Sequence, residues 1–577
     1  MMFFSNGGGA GENRARRALV PSILFLFCTA MSLPVTGAVA ASLQGREGIC
    51  ALELSLPYLG FGAAAALLTA CGAVSAMAGA EAEGDSRMKQ RIRNTGFLTV
   101  LAAEFLICAA GAVFSLRGSL PAVLSLGVLR AVAMWLRGLI GAPAAMGLFL
   151  YYEILLFAEG NEKTASLISA AASLIQVILM TGVFRVYGGA GFGFSLTGGW
   201  FAGAAAAFLF LRRRTGRRGR CGVSAEAAVR ILKYGIPSAE GPFYLTLTVI
   251  LLNFCLSLTG REELLPAAFY ALLAYGSMLL LGRGMALGFD PMIRVYRAEG
   301  NDKGILLLMQ DGFPAVLVLF NLWMVILFLA ASIVAGIWIP GTEETVRAGV
   351  TAVRLLVPFS VFYCTAVFFA GYYRASGEAG TARFLRVTAL LILPVICAGA
   401  GMQLGGFNGI WTGAGAAAFL TLPVTAAAVR FRTGRSGGNR SGWLLLDRTV
   451  CSSQFYEVCR ALPEDTEVMT AKAEVFLRKE KVPDYEQYRI LQLLRDLLAG
   501  ICGRAAEEDV PFRIDCTITG GRSFQVIVRD DGPLTDKADP RHTICSFRMY
   551  GLSRSVRTGA DASLAPASGE NRTVFRM

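Results

Sequence analysis

The sequence is short of nearly everything a soluble catalyst uses. It has one histidine, His542, and only 16% of its residues are charged, where a soluble globular chain carries about a quarter. No Walker A sequence occurs, which argues against transport driven directly by a P-loop ATPase. The 13 cysteines include no CxxC pair, and with a single histidine this argues against a Cys/His zinc site. Many of them fall inside apolar stretches and read as small buried residues in a reducing setting. After about Arg435 no apolar run is long enough to cross a bilayer.

What the chain has in abundance is apolar sequence. Hydrophobic residues make up 54% of it, and its mean hydropathy is +0.54. Stretches of the roughly 20 residues needed to span a hydrocarbon core recur from Ala18 to Phe431. Spans are expected at 18–42, 51–80, 95–116, 138–157, 165–187, 191–212, 232–258, 264–293, 312–338, 356–373, 382–404 and 409–431. The fold class is therefore an all-α polytopic membrane bundle of twelve transmembrane helices, followed by a small C-terminal α/β domain. Residues 14–42 also resemble a secretory signal, but the apolar run is longer than a usual signal core.

The net charge of +13 is unevenly spread. Arginines and lysines gather at alternate gaps: Arg14, Arg16 and Arg17; Arg87 to Arg93; Arg212 to Arg220; Arg294, Arg297 and Lys303; Arg374, Arg383 and Arg386; Arg430 to Arg435. This is the positive-inside bias. It places both termini in the cytoplasm of a bacterial inner membrane and explains the charge without nucleic acid as a partner.

The spans form two sets of six with matching punctuation. The second ends Ala82-Glu83-Gly84-Asp85 and the eighth Ala298-Glu299-Gly300-Asn301-Asp302. Arg130-Ala131 precedes Arg137 by seven residues, as Arg347-Ala348 precedes Arg354. Seven residues make two helical turns, so each pair lines one helix face. A parallel repeat of this kind is a transporter architecture with a cavity between two bundles. The expected division is a tail 1–17, bundles 18–212 and 232–431, basic linkers 213–231 and 432–452, and a domain 453–577.

Three segments carry a family resemblance. They are Gly45 through Asp85, Tyr234-Gly-Ile-Pro-Ser-Ala-Glu240 and Gly371-Tyr-Tyr-Arg-Ala-Ser-Gly377. Over residues 15–432 the chain resembles the multidrug and toxin extrusion (MATE) family, within a superfamily that also holds flippases for lipid-linked sugars. The resemblance implies export of organic solutes coupled to H⁺ or Na⁺. Relatives commonly carry an acid in the first or tenth helix; here both lack one, and only the seventh-helix glutamate has a counterpart.

Ionisable groups within spans usually face a cavity or a partner. Glu104 falls near the middle of the third span, and Glu240 lies between Pro237 and Pro242 in the seventh. Asp290 sits one turn from Arg294, its expected structural partner, and Asn253 adds a neutral oxygen. Glu240, with Glu104, is the expected coupling site.

The tail is different in kind. Residues 485–505 read as an amphipathic helix with Ile490, Leu494, Leu497, Leu498 and Ile501 on one face. Alternating strands at 512–519 and 523–529 follow, joined at Gly520-Gly521. Asp530-Asp-Gly532, the stretch around Gly551 and Asn571-Arg-Thr-Val574 complete an order that resembles the GHKL nucleotide-binding sandwich of anti-sigma-factor kinases. In that family a helix glutamate and an asparagine serve Mg-ATP; here the positions are Asp496 and Gly500, and a glycine offers the metal no oxygen. ATP binding without turnover and a protein-interaction role both remain open. The leading expectation is a MATE-type transporter with a regulatory tail. It touches membrane lipid, a small organic or lipid-linked substrate, and a cytoplasmic regulatory protein. The alternatives are a flippase for lipid-linked oligosaccharide and a membrane-tethered signalling protein.

Overall fold

A computed structural model describes residues 32–82, 85–117, 125–158, 161–215, 222–435, 440–447, 453–507, 513–519, 525–530 and 571–576. The apolar part is helical throughout: α1 (Ser32–Ala82), α2 (Ser86–Arg117), α3 (Leu126–Leu139), α4 (Ala142–Ala158), α5 (Glu162–Tyr187), α6 (Gly189–Thr215) and α7 (Ala225–Leu258). A 3₁₀ turn at Glu262–Leu264 leads into α8 (Leu265–Ala298), α9 (Asp302–Trp338), α10 (Glu343–Ala375), α11 (Ala379–Val387) and α12 (Leu393–Arg435). Among the described residues nine helices are long and apolar enough to cross a membrane, or ten if the pair α3 and α4, bent by 47°, is one span.

Glycines decide where several helices turn. In α1 the backbone leaves helical geometry at Gly45, with φ of 62°. In α12 it does so at Gly405 and Gly406. A side chain is strained at positive φ, so Gly45 and, at φ of 56°, Gly406 are positions that need glycine. The first and second expected spans thus run as one broken helix, and α11 continues through a π turn at Thr388–Ile392 into α12. Around Arg130 and Arg137 the expected separate helix is α3, capped by Ser125. Its counterpart around Arg347 and Arg354 is instead continuous with the tenth span in α10. The linker at 213–231 is shorter than expected, because α6 runs to Thr215 and α7 begins at Ala225.

The chain divides into two compact units. One comprises 18–290 and 315–428. The other joins 291–314, the elbow between α8 and α9, to 429–577. In this second unit a four-stranded antiparallel sheet runs in the order β3 (Gln454–Arg460), β4 (Arg513–Thr519), β5 (Gln525–Asp530) and β6 (Asn571–Arg576), after a two-stranded ribbon of β1 (Arg440–Ser441) and β2 (Leu446–Asp447). Two helices, α13 (Pro463–Lys479) and α14 (Asp484–Glu507), supply the rest of the core. Two strands stand close to the expected hairpin, with Thr519 paired to Gln525, so the second strand begins two residues later than expected. Strand alternation gives the sheet two faces. Ile514, Cys516, Ile518, Val526 and Val528 belong to the helix-side core, while Asp515, Thr517 and Arg529 meet the elbow. What is described is a small antiparallel sheet with two helices, which does not show the expected GHKL sandwich; the stretches around Gly532 and Gly551 on which that expectation leaned lie outside the described residues.

Candidate functional site

Helices α1 and α7 meet along a close-packed seam. Gly60 faces Thr246, Gly235 faces the carbonyl of Leu68, and Gly72 faces the carbonyl of Ile231. A Cβ at either Gly72 or Gly235 would overlap those backbone oxygens. Small residues at such positions let two helix backbones approach closely, which is how apolar helices gain attraction inside lipid. The partners run in opposite directions along the two helices, so the seam is antiparallel.

Glu240 lies on α7 between the seam positions Gly235 and Thr246. Its buried carboxylate accepts hydrogen bonds from Arg383 Nε at 2.6 Å and Arg386 Nη1 at 3.0 Å. Arg386 also donates to the Pro237 carbonyl at 2.5 Å. Asp290 accepts from Arg374 at 3.1 Å, a partner 84 residues away that helical spacing cannot suggest. Arg283 and Arg374 lie within electrostatic reach of one another, and Arg386 is within reach of both. Four arginines therefore gather around two carboxylates here.

The other acids of the spans are treated differently. Glu104, on α2, is fully buried, with its side chain packed against Gly147, and neither oxygen has a hydrogen-bond partner among the described residues. Glu53, on α1, is also fully buried with both oxygens unpartnered. It continues the antiparallel register: one step beyond the Gly60–Thr246 contact, the Asn253 amide stands beside it. Neither group reaches hydrogen-bond geometry, and both polar atoms of Asn253 are buried and unsatisfied. Glu53 escaped the sequence reading because it sits three residues into an expected span, where a carboxylate normally reaches water. An acid flanked by Cys50-Ala51-Leu52 and Leu54 was the available signal.

Beyond Glu53 the seam ends in a latch. Glu262, in the 3₁₀ turn, accepts from Arg46 Nη2 at 3.3 Å and from Ser125 N at 2.7 Å and Oγ at 2.8 Å. One carboxylate of the second set thus ties two elements of the first. Nearby in sequence, Thr259, Arg261, Glu344, Arg347, Gln403 and Asn408 line a cavity of about 830 Å³, with Arg261 paired to Glu344 at 2.6 Å.

In the second unit only some of the nucleotide-like residues are among the described ones. Asp496 and Gly500 lie on the exposed face of α14. Asp530 is buried on the helix side of β5, where Arg504 donates to it at 2.8 Å. Gly532 and Gly551 lie outside the described residues. Burial pushes the Cys459 thiol up to about 12, which keeps it unreactive. No group of three metal-ligating side chains occurs among the described residues.

The opposite face of that sheet holds the α8–α9 elbow through buried polar contacts. Tyr296 and Tyr456 share a hydroxyl hydrogen bond at 3.0 Å, and Asn301 Nδ2 donates to Thr517 Oγ1 at 3.0 Å. Gln454 donates to the Gly300 carbonyl and accepts from Lys303 N at 3.1 Å. Arg529 is paired with Glu299 and, at 3.5 Å, with Asp515, and its guanidinium lies over the Tyr296 ring.

No protein-family model matches the chain, and no curated protein matches it. Solved structures do. An inward-facing multidrug-resistance MATE transporter of the MOP superfamily is 16% identical with a TM-score of 0.59, covering 73% of this chain and 100% of its own. An outward-facing MATE transporter is 16% identical with a TM-score of 0.60, covering 75% and 99%. A MOP-superfamily transporter from Pyrococcus furiosus Vc1, described as having a binding pocket of reversed polarity that suggests a different function, is 17% identical with a TM-score of 0.58, covering 75% and 99%. Identity this low speaks to fold alone. Over about three quarters of its length, the chain has the multi-pass membrane fold of MATE-family transporters.

Proposed function

We propose that the protein is a MATE-type secondary transporter, exporting organic solutes across a bacterial inner membrane by alternating access. The observation that carries this reading is the α1–α7 seam, close-packed on glycine and ended by an ion-pair latch at Glu262. A seam of backbone contacts with one polar clasp is an interface that opens at an end without unfolding either helix set. Counting each half of the glycine-broken helices α1 and α12 as a crossing brings the ten candidates to twelve. The arginine bias then puts both termini in the cytoplasm.

Glu240 reads as a structural clamp, not the coupling acid. Protonating it would leave Arg386 buried with a weakened partner, and breaking a buried pair from one side costs about 3–5 kcal/mol. The tail reads as a regulator acting through the elbow. Because α8 and α9 are continuous with that elbow, a domain gripping Glu299 to Lys303 restrains the turn between two spans. Efflux of a fluorescent organic cation from proteoliposomes under an imposed pH gradient tests the transport reading. Efflux equal to that of protein-free vesicles would remove it. Arg529→Leu, which leaves Glu299 and Asp515 without their cation, is expected to change the rate without abolishing transport.

A second reading is favoured by one observation. Arg283, Arg374, Arg383 and Arg386 outnumber Glu240 and Asp290 inside the spanning unit. Excess positive charge suits an anionic lipid-linked substrate, and saturable binding of a lipid diphosphate by the purified protein would favour flipping over drug export. For the tail, the pairing of Asp530 with Arg504 leaves little for an adenine to engage. The full-length protein is expected not to bind Mg-ATP, which equilibrium dialysis with labelled nucleotide checks.

A further inference from the structure

We infer that Glu53 and Asn253 form a proton-binding site on the α1–α7 seam, where a proton makes the bond that holds the two helix sets together at the latch end. The inference begins with a mismatch of polar groups. Glu53 is fully buried with both oxygens unpartnered, and the facing amide of Asn253 is unsatisfied at both atoms. An ionised carboxylate buried without a partner is among the costliest arrangements a protein interior can hold. Two neighbours of complementary shape, each lacking what the other offers, are one small movement from pairing.

The donor inventory identifies the ligand. A neutral carboxyl has one O–H donor and one carbonyl acceptor; a side-chain amide has one carbonyl acceptor and an NH₂ donor. Protonated Glu53 therefore donates its O–H to Asn253 Oδ1 and accepts from Asn253 Nδ2, satisfying both groups in one two-point contact. When the proton leaves for water, the carboxylate still accepts from Nδ2 but has nothing to offer Oδ1, and two acceptors face each other. The contact is complete with the proton and incomplete without it. A metal cation fits less well. Hard cations such as calcium gather about six or more oxygens. Glu53 and Asn253 supply three between them, and no group of three His, Cys, Asp or Glu side chains occurs among the described residues.

Position gives the site its consequence. Glu53 belongs to the first helix set and Asn253 to the second, so the bond crosses the interface that alternating access must open. The Cys50 thiol, one turn away on α1, feels Glu53 as well as Arg46 and Glu262, which are paired with each other. No other charged group bears on the Glu53 carboxylate among the described residues. The proton site thus stands just inside the latch, the two forming an inner and an outer clasp on one end of the seam.

The role in coupling rests on the transport reading, but the site is testable without it. Purified full-length protein in detergent is treated with N,N′-dicyclohexylcarbodiimide, which modifies protonated carboxyls in apolar surroundings, and the peptides are mapped by mass spectrometry. Glu53 is expected to be modified at acid pH, to lose modification about tenfold per unit once the pH passes its midpoint, and to be indifferent to Na⁺. In parallel, the infrared spectrum at acid pH is expected to show a protonated-carboxyl band that Glu53→Gln, which keeps the shape and the amide pairing, removes. An infrared band unchanged in Glu53→Gln overturns the site, and protection of Glu53 by Na⁺ at fixed pH overturns its assignment to a proton. If Glu53 behaves as expected and proteoliposomes show no solute movement, the site stands and the transport reading falls. If solute moves and its proton dependence survives Glu53→Gln, coupling through this site is wrong while transport remains.

Discussion

The two halves of α7 handle buried acid in opposite ways. In its first half, Glu240 is gripped by Arg383 and Arg386, and Pro237 lends Arg386 a carbonyl. Near its end, Asn253 faces a Glu53 that has no cation beside it among the described residues. The first arrangement is satisfied only while the acid is ionised, the second only while it is neutral. The same residue type therefore serves as a fixed strut at one place and as a switch at the other, and the difference lies in neighbours supplied by other helices.

The seam that joins the two halves should be the most sensitive element. Gly235→Leu would drive a side chain into the Leu68 carbonyl, and it is expected to abolish monodisperse protein on size exclusion. Recovery at parental yield would show that the helices are farther apart. Next comes the strut. Arg386→Met leaves Glu240 buried with only the half-exposed Arg383 and should cost about 3–5 kcal/mol in detergent unfolding. Replacing both Glu240 and Arg386 by methionine should return most of that loss, because it removes the unpaired charge.

The switch end predicts a much smaller change. Glu53→Gln removes no ion pair, so its stability should stay within about 1 kcal/mol of the parent near neutral pH. A loss as large as that of Arg386→Met would mean that Glu53 carries a buried partner, and the contrast between the two ends would disappear. The latch should matter least to stability. Glu262→Gln weakens a part-exposed pair worth about 0–1 kcal/mol, yet alkylation of the buried Cys50 should quicken several-fold as the clasp loosens. Unchanged Cys50 reactivity would mean that Glu262 does not hold that end shut.

Local sequence carried some of this and not the rest. The apolar spans follow from run length, and the amphipathic helix at Asp484–Glu507 and the two strands after it follow from periodicity; both are properties of neighbouring residues. Gly45 and Gly405-Gly406 were less legible, since a glycine within an apolar run also serves as a packing residue in lipid. The site was legible only in its parts. Glu104, Glu240, Asn253 and Asp290 stood out as polar groups in apolar sequence, but their states depend on partners far along the chain. Arg383 and Arg386 are 143 and 146 residues from Glu240, and Arg374 is 84 from Asp290.

The sequence by itself determined that the chain is built to cross a membrane up to about Arg435 and has no run long enough to do so in the residues given after it, because burial in lipid is a demand on composition and run length. Only the tertiary structure decided which acids are ionised struts and which are orphans, and that the sheet of the tail takes the α8–α9 elbow on its polar face. Charge in a low-dielectric interior is set by what lies within a few ångströms, and folding, not sequence order, chooses those neighbours.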